Sequence, residues 1–355
     1  MEKPNYTNPI LITASFIIII AGVMYAAAII AQLLMALFVS IVCAHPIAWM
    51  KKRKVPQGIA ILIVFIGILG LFFGLGGLIA NSLSSFSQSA SQYEKNLSDI
   101  GASLLAYIRS FGLEVSKDKM SALFDPSKTM SFTASILSQL GGFMSNALTI
   151  FFLVLFLLME LDSISTKTKA VIAGTTLSFS YLNVIATNIR HYLSIKTLTS
   201  LLTGVCIWIG LAIIDLDYAI IWALIAFLLN YIPNIGSIIA ALPAVLFSIV
   251  QLGLGGMVGT MLVFIMINLI IGNVVEPKMM GQGLGLSTFV VFFALLFWGF
   301  VLGTVGMFLS VPLTMAIKIV LDQYPSTKPI AIFLGTHREA QLILDEKNQE
   351  RKEHL

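Results

Sequence analysis

Charge is what this sequence holds least of. Only 11% of its 355 residues are Asp, Glu, Lys or Arg, against about 25% in a typical soluble domain. Residues 4–50 carry none, and neither do residues 218–275. A chain so poor in charge cannot clothe itself for water, which excludes a soluble globule. Cysteine is nearly absent as well. Cys43 and Cys206 each sit inside an apolar run, which excludes a disulfide framework and reads as two buried, inert thiols. There is no GxxxxGKS or GxxxxGKT, so no P-loop hydrolyses ATP, and neither HExxH nor a paired CxxC occurs. The histidines, His45, His191, His337 and His354, have no metal-ligand spacing. His45, next to Pro46, reads as a helix-end residue. Nothing marks a nucleophile. No catalytic residue, metal or cofactor is expected, and the chain is not read as an enzyme. The net charge of +4 comes from loops and gives no reason to expect a nucleic-acid partner.

What is present is a series of long apolar runs, 58% of the chain being hydrophobic. A transmembrane helix needs about 20 consecutive apolar residues, and several runs supply them. A membrane β-barrel would alternate apolar and polar residues over ~10-residue segments, and nothing here alternates so. The fold class is therefore all-α, a polytopic membrane protein with about eight transmembrane or re-entrant helical segments. The charge-free stretch 4–50 would make about 70 Å of helix, twice a bilayer core, so it divides into spans at 9–28 and 30–49, with Gly22 and Gln32 the only hints of a turn. The start, "MEKPNYTNPILITASFIIII", lacks a small-residue cleavage site and reads as the first of these spans, not a cleaved signal peptide. "KKRK" (51–54) ends the pair, and basic loops stay in the cytoplasm, which places the N-terminus there too. A third span, 58–80, carries glycines at 67, 70, 74, 76 and 77, suited to close helix packing.

Residues 81–140 differ, with five basic and five acidic residues. Leu83, Phe86, Ala90, Tyr93, Leu97, Ile100, Leu104, Tyr107 and Phe111 follow 3-4 spacing, one apolar stripe on a helix of about 29 residues. This predicts an amphipathic helical insertion over 81–140, extracytoplasmic or interfacial. Its stripe lies either on the membrane surface or its own neighbours, or in a subunit seam of a homo-oligomer. Asp125 and Pro126 then start another helix. A fourth span covers about 142–160 and ends at Glu160 and Asp162. The loop after it holds Lys167, Lys169, Arg190 and Lys196, as a cytoplasmic loop should. A fifth span, 197–214, leads to Asp215 and Asp217. Helices at 218–230, 237–252 and 257–275 follow, broken at "NYIPNIGS" (230–237) and "GLGG" (253–256). The last run, 286–317, would be about 48 Å as one helix, long even for a tilted span. It reads as a short or re-entrant hairpin bent at Gly299, Gly303 and Gly306. Lys318 ends it, and a charged tail follows.

Two interruptions carry the functional reading. In the first, Pro233 removes a backbone donor and biases Ile232 away from helix, with Tyr231 and Gly236 beside it and Asn230 and Asn234 flanking. Broken backbone at membrane depth must be buried in protein or line a wet cavity, and transporters build sites from it. The two amides suit a polar, uncharged solute. They serve equally as caps in a tight helix–helix turn. In the second, "GNVVEPKMMGQGLGLS" (272–287), Pro277 ends the helix that begins near 257. Glu276 and Lys278 stand either side of it, and Gly281, Gly283 and Gly285 loosen the backbone. Either Glu276 and Lys278 form a structural ion pair at a loop, or Glu276 gates or protonates along a path. Asn268 and Asn273, on the approach, complete the expected lining. Glu160, Asp162, Asp215, Asp217 and Glu276 are the acids available for ion coupling.

"FLLNYIPNIGSIIAALPAV", "INLIIGNVVEPKMMGQGLGLSTFVVFFALLFWGF" and "LGTVGMFLSVPLTMAIKIVL" resemble the autoinducer-2 exporter (PerM-like) family. "HPIAWMKKRKVPQGIA" and "GLEVSKDKMSALFDP" are similar too, so the resemblance covers about residues 10–320. It implies an inner-membrane protein of about eight helical segments that exports autoinducer-2, a small sugar-derived polyol. Some members of the family resemble sodium–proton antiporters in activity. The expectation is therefore one transporter domain over 1–325 and a charged cytoplasmic tail over 326–355, with both termini cytoplasmic and lipid and a small polar solute as partners. Cation–proton antiport is the alternative, and an oligomeric membrane scaffold that transports nothing is the alternative of another class.

Overall fold

Backbone amides in lipid have no water to bond, so apolar runs satisfy them within helices. The computed structural model describes residues 9–110, 147–160, 180–233, 235–280 and 285–353, with a few isolated positions between 131 and 170. Among the described residues there is no strand. The order is α1 (Pro9–Tyr25), α2 (Ala27–Lys52), α3 (Gln57–Ser110), α4 (Ala147–Glu160), α5 (Ser180–Ile213), α6 (Ala219–Leu229), α7 (Gly236–Ile270), a π-helical turn (Ile271–Val275), α8 (Glu276–Met280), α9 (Thr288–Asp322), α10 (Lys328–Leu334) and α11 (His337–Glu353). Among the described residues, five stretches are long and apolar enough to cross a membrane, and three shorter apolar helices join them at Thr13–Tyr25, Ala147–Glu160 and Ala219–Leu229. Large apolar side chains face outward, among them Ile18 (70% exposed), Phe73 (67%) and Phe300 (72%). Lipid solvates such a surface, so the chain is an all-α polytopic membrane protein. The expected helix start at Asp125 and Pro126 lies outside the described residues.

The described residues form two compact units, one within Met1–His45, Thr149–Leu193 and Gln282–Leu355, the other within Pro46–Leu148 and Ser194–Gly281. The core of the second unit gathers Ile207, Leu211, Trp222, Phe247 and Phe264 from α5, α6 and α7. Phe86 and Tyr93 of α3 join it, their rings 6.2 and 5.2 Å from that of Phe247. The near end of the apolar stripe thus packs on the chain's own helices at Leu83, Phe86 and Tyr93. The side chains of Ala90, Leu97, Leu104 and Tyr107, and all of Phe111, lie outside the described residues.

Two boundaries differ from the sequence reading. The third span and the stripe-bearing helix are one continuous helix, α3, with no break near residue 80. Between Gly77 and Gly101 there is neither Gly nor Pro, and Ser, Gln and Asn weaken a helix without ending it. In the other case, α5 begins at Ser180 and not near 197, so Arg190 and Lys196 are helical instead of loop residues.

Two long helices are broken by a glycine. Gly253 (φ 71°, ψ −159°) divides α7 and Gly303 (φ 67°, ψ −149°) divides α9, a conformation that L side chains resist. Of the three glycines expected to bend the last run, Gly303 carries the break. Across it, the Trp298 indole N–H donates to Thr314 Oγ1 at 3.1 Å, so the two arms lie side by side. Arms of this length reach about 25 Å, short of the ~30 Å hydrocarbon core. In the same unit, Lys318 Nζ donates to the Gly285 carbonyl at 2.6 Å and pairs with Glu339 at 2.5 Å. The Ser287 N–H donates to Leu334 O at 3.1 Å. The helices after α9 therefore hold the residues that precede it.

Candidate functional site

Within α5 the segment "LSIKTLTSLLTG" sets polar residues among leucines. Lys196, Thr199, Ser200 and Thr203 recur at i, i+3, i+4 and i+7, which places them on one stripe of a helix. All four are buried, and Lys196 is the one charged residue in that class among the described residues. Their hydroxyl protons are partly committed to the helix itself. Thr203 Oγ1 donates to Thr199 O at 2.9 Å, and Thr199 Oγ1 lies 3.2 Å from Lys196 O. Each hydroxyl oxygen still has lone pairs to offer.

Both interruptions come to this helix. The first follows α6, where the Asn230 N–H closes the helix on Ala226 O at 2.9 Å. Its side-chain amide donates to Ser200 Oγ at 3.0 Å, and the Tyr231 hydroxyl donates to Thr197 Oγ1 at 2.9 Å. Gly236 then starts α7 so close behind that a Cβ there would overlap the Leu229 carbonyl. Pro233 is half-buried in this turn. Asn234 lies outside the described residues.

The second interruption arrives through the π-helical turn. The Glu276 N–H donates to Ile271 O, five residues back. Pro277 follows at once. In an α-helix its ring would strike the carbonyl four residues earlier, and a π turn widens the helix at that point. The chain therefore stays helical to Met280, contrary to the expectation that Pro277 ends it. Glu276 points at α5. Its Oε1 accepts from Lys196 Nζ at 2.6 Å, and its Oε2 lies 3.5 Å from Thr199 Oγ1. The two charged side chains are 6% and 16% exposed. The partner of Glu276 is thus Lys196 and not Lys278, which is exposed, as is Pro277. An α-helix turns side chains two apart away from each other, so a Glu276–Lys278 pair was poorly placed from the start.

The remaining candidates fall elsewhere. Asp215 and Asp217 are exposed in the turn after α5, roughly 25 Å along the helix from Lys196 at 1.5 Å per residue. The Asp217 carboxylate accepts from the Tyr93 hydroxyl at 2.9 Å. Gln251 receives the Asp217 N–H at 2.7 Å and donates to Asp215 O at 2.9 Å. Burial first, then hydrogen bonds with Tyr218 and Asp217, push the Tyr93 phenol well above the usual tyrosine range. Glu160 pairs with Lys167 at 2.5 Å, while Asp162 lies outside the described residues. Asn273 is exposed and Asn268 half-buried. Gly281 and Gly283 lie outside the described residues, and Gly285 belongs to the other unit, bonded to Lys318. Among the described residues no group of three His, Cys, Asp or Glu could hold a metal. Sequence reasoning missed Lys196, Thr197, Thr199, Ser200 and Thr203 as a set. Their helical spacing was the available signal.

Over residues 13–326 the sequence matches the AI-2E family transporter pattern. A candidate transport protein of Haemophilus influenzae is 43% identical over 337 residues, covering 93% of this chain and 97% of that protein. The candidate transport protein YhhT of Escherichia coli K12 is 37% identical over 92% of this chain and 93% of its own length. The AI-2 transport protein TqsA of the same organism is 34% identical over 94% of this chain and 98% of its own. These are transport proteins and not enzymes. A membrane-spanning helical chain that matches the family pattern over nearly all its length belongs to the AI-2E transporter family.

Proposed function

We propose that this chain carries a small, uncharged, hydroxyl-rich solute across the bacterial inner membrane, outward, with autoinducer-2 as the foremost candidate. The observation that carries the proposal is the buried, charge-balanced stripe of α5, where Lys196 meets Glu276 and Ser200 meets Asn230. Polar groups inside membrane helices are expensive and usually mark a solute or ion path. Hydroxyl and amide groups offer donors and acceptors in the alternation a polyol presents. A helix end at 230–233 and a π-helical turn at 271–275 flank the stripe, irregular backbone of the kind from which transporters build sites. The name of TqsA supplies the solute. The basic run 51–54 supports cytoplasmic termini, with 1–325 as the transporter domain and 326–355 as a cytoplasmic tail. A homo-oligomer remains part of the proposal, to be read from particle size in detergent.

Purified protein in vesicles loaded with labelled autoinducer-2 tests this. Saturable efflux is expected, with a raised apparent KM for Asn230→Ala. Efflux no faster than from protein-free vesicles overturns it. Cation–proton antiport is favoured by one observation, the carboxylate of Glu276 among membrane helices. It requires sodium-driven proton movement in the same vesicles without solute. Absence of both fluxes leaves the scaffold reading.

A further inference from the structure

Resting on the transport reading above, we infer that Lys196 determines the charge class of the path: its ammonium is a tethered counter-ion that holds Glu276 neutralised and keeps alkali cations out. Nζ of Lys196 stands 2.6 Å from Glu276 Oε1, and Thr199 Oγ1 stands 3.5 Å from Oε2. One carboxylate thus faces one ammonium and a hydroxyl, in a place where the ammonium is buried and the carboxylate is largely covered. Lys278, the nearest cation in sequence, is exposed, and the ion pair of this carboxylate is with Lys196. The stripe carries no net charge, and its remaining groups are neutral hydroxyls and an amide. A covered carboxylate without its partner is strongly destabilising. Remove the ammonium, and the hard oxygens of Glu276 and Thr199 are left to recruit a sodium ion. The same stripe would then take a cation where it now takes a neutral solute.

The experiment needs no knowledge of the natural solute. Thermal stability of the purified protein is measured in sodium chloride and in the chloride of a large organic cation, for wild type, Lys196→Gln, Lys196→Arg and Lys196→Gln/Glu276→Gln. Sodium should raise the Tm of Lys196→Gln by several degrees, because an ion that binds only the folded state stabilises it. Wild type, the arginine variant and the doubly neutral variant should be indifferent. Sodium dependence in wild type, or indifference in Lys196→Gln, overturns the inference. Should Lys196→Gln not be recovered, Glu276→Gln carries the mirror test. Its unpaired ammonium should make stability higher in sodium chloride than in the sodium salt of a large organic anion, and equal stability in the two overturns the inference. If neither single variant is recovered, recovery of the double variant supports charge balance, and its failure overturns it. Autoinducer-2 efflux is read separately. If sodium acts on Lys196→Gln while wild type moves no autoinducer-2, the transport reading fails and the counter-ion role stands.

Discussion

The Tyr93 hydroxyl donates to the Asp217 carboxylate at 2.9 Å, joining two residues 124 positions apart. The bond ties α3 to the turn after α5, where Asp215 and Tyr218 both hold positive φ of 58°. Backbone of that kind in non-glycine residues persists only when its surroundings fix it. Gln251, bonded to the same turn on both sides, supplies the rest.

Tyr93→Phe keeps the ring against Phe247 and loses the bond, so it should cost about 1 kcal/mol. Tyr93→Ala, which also empties the ring's place, should cost about 3–5 kcal/mol. Thermal denaturation in detergent distinguishes them, and equal losses would show that the ring contributes nothing.

Alkali supplies a second test of the same residue. Folding keeps the Tyr93 phenol protonated past about pH 10, where an unfolded tyrosine loses its proton. The folded state then binds more protons than the unfolded one, so stability falls as pH rises beyond that point. Tyr93→Phe should fall less steeply over the same range.

Gly303→Ala places a side chain at φ 67° and ψ −149°, and such a conformation costs about 1–3 kcal/mol. Gly70→Ala is the control. It lies in α3 with nothing within 4 Å of a new Cβ, and should be neutral or stabilising by about 0.4–1 kcal/mol. A well-expressed Gly303→Ala protein of wild-type stability would mean the hairpin does not need its bend.

Lys196 and Lys278 should behave as opposites. Lys278→Gln alters an exposed charge and should stay within about 0.5 kcal/mol of wild type. Lys196→Gln breaks a covered pair, a change that costs about 3–5 kcal/mol. Comparable effects at both positions would contradict the pairing.

Pro277→Ala restores a backbone donor and removes the ring that the π turn accommodates. If the turn tightens to α, Glu276 rotates by about 100° away from Lys196. A double-mutant cycle between positions 196 and 276, measured in the Pro277→Ala background, should then lose most of its coupling. Coupling that survives unchanged would show the π turn has another cause.

Much of the fold was legible because apolar runs and glycines have few readings in a membrane. The breaks at Pro233, Gly253 and Gly303 follow from proline and glycine inside apolar runs, and the stripe through Phe86 and Tyr93 follows from its spacing. Partners were not legible. Periodicity tells which face of a helix is apolar and says nothing of what stands opposite it. Lys196 follows Lys167, Lys169 and Arg190 in sequence and so reads as another solvated loop charge, yet it is buried in α5. Its partner is 80 residues away. Pro277 reads as a stop only when α is the sole helix considered, and the π turn escapes that rule. The continuity of α3 was hidden by a change of composition, from apolar to serine-rich, that leaves the backbone unaltered.

A helix of 54 residues is also a lever. Its apolar part ends near Ser89, and the residues to Ser110 extend it by about 30 Å at 1.5 Å per residue. A tilt of about 10° in the membrane-spanning part would swing the far end by roughly 5 Å over that length. Tyr93 stands near the fulcrum, one turn past the apolar stretch, so its contacts with Asp217 and Phe247 act as the bearing. Small rearrangements among membrane helices would thereby be magnified at the tip of α3.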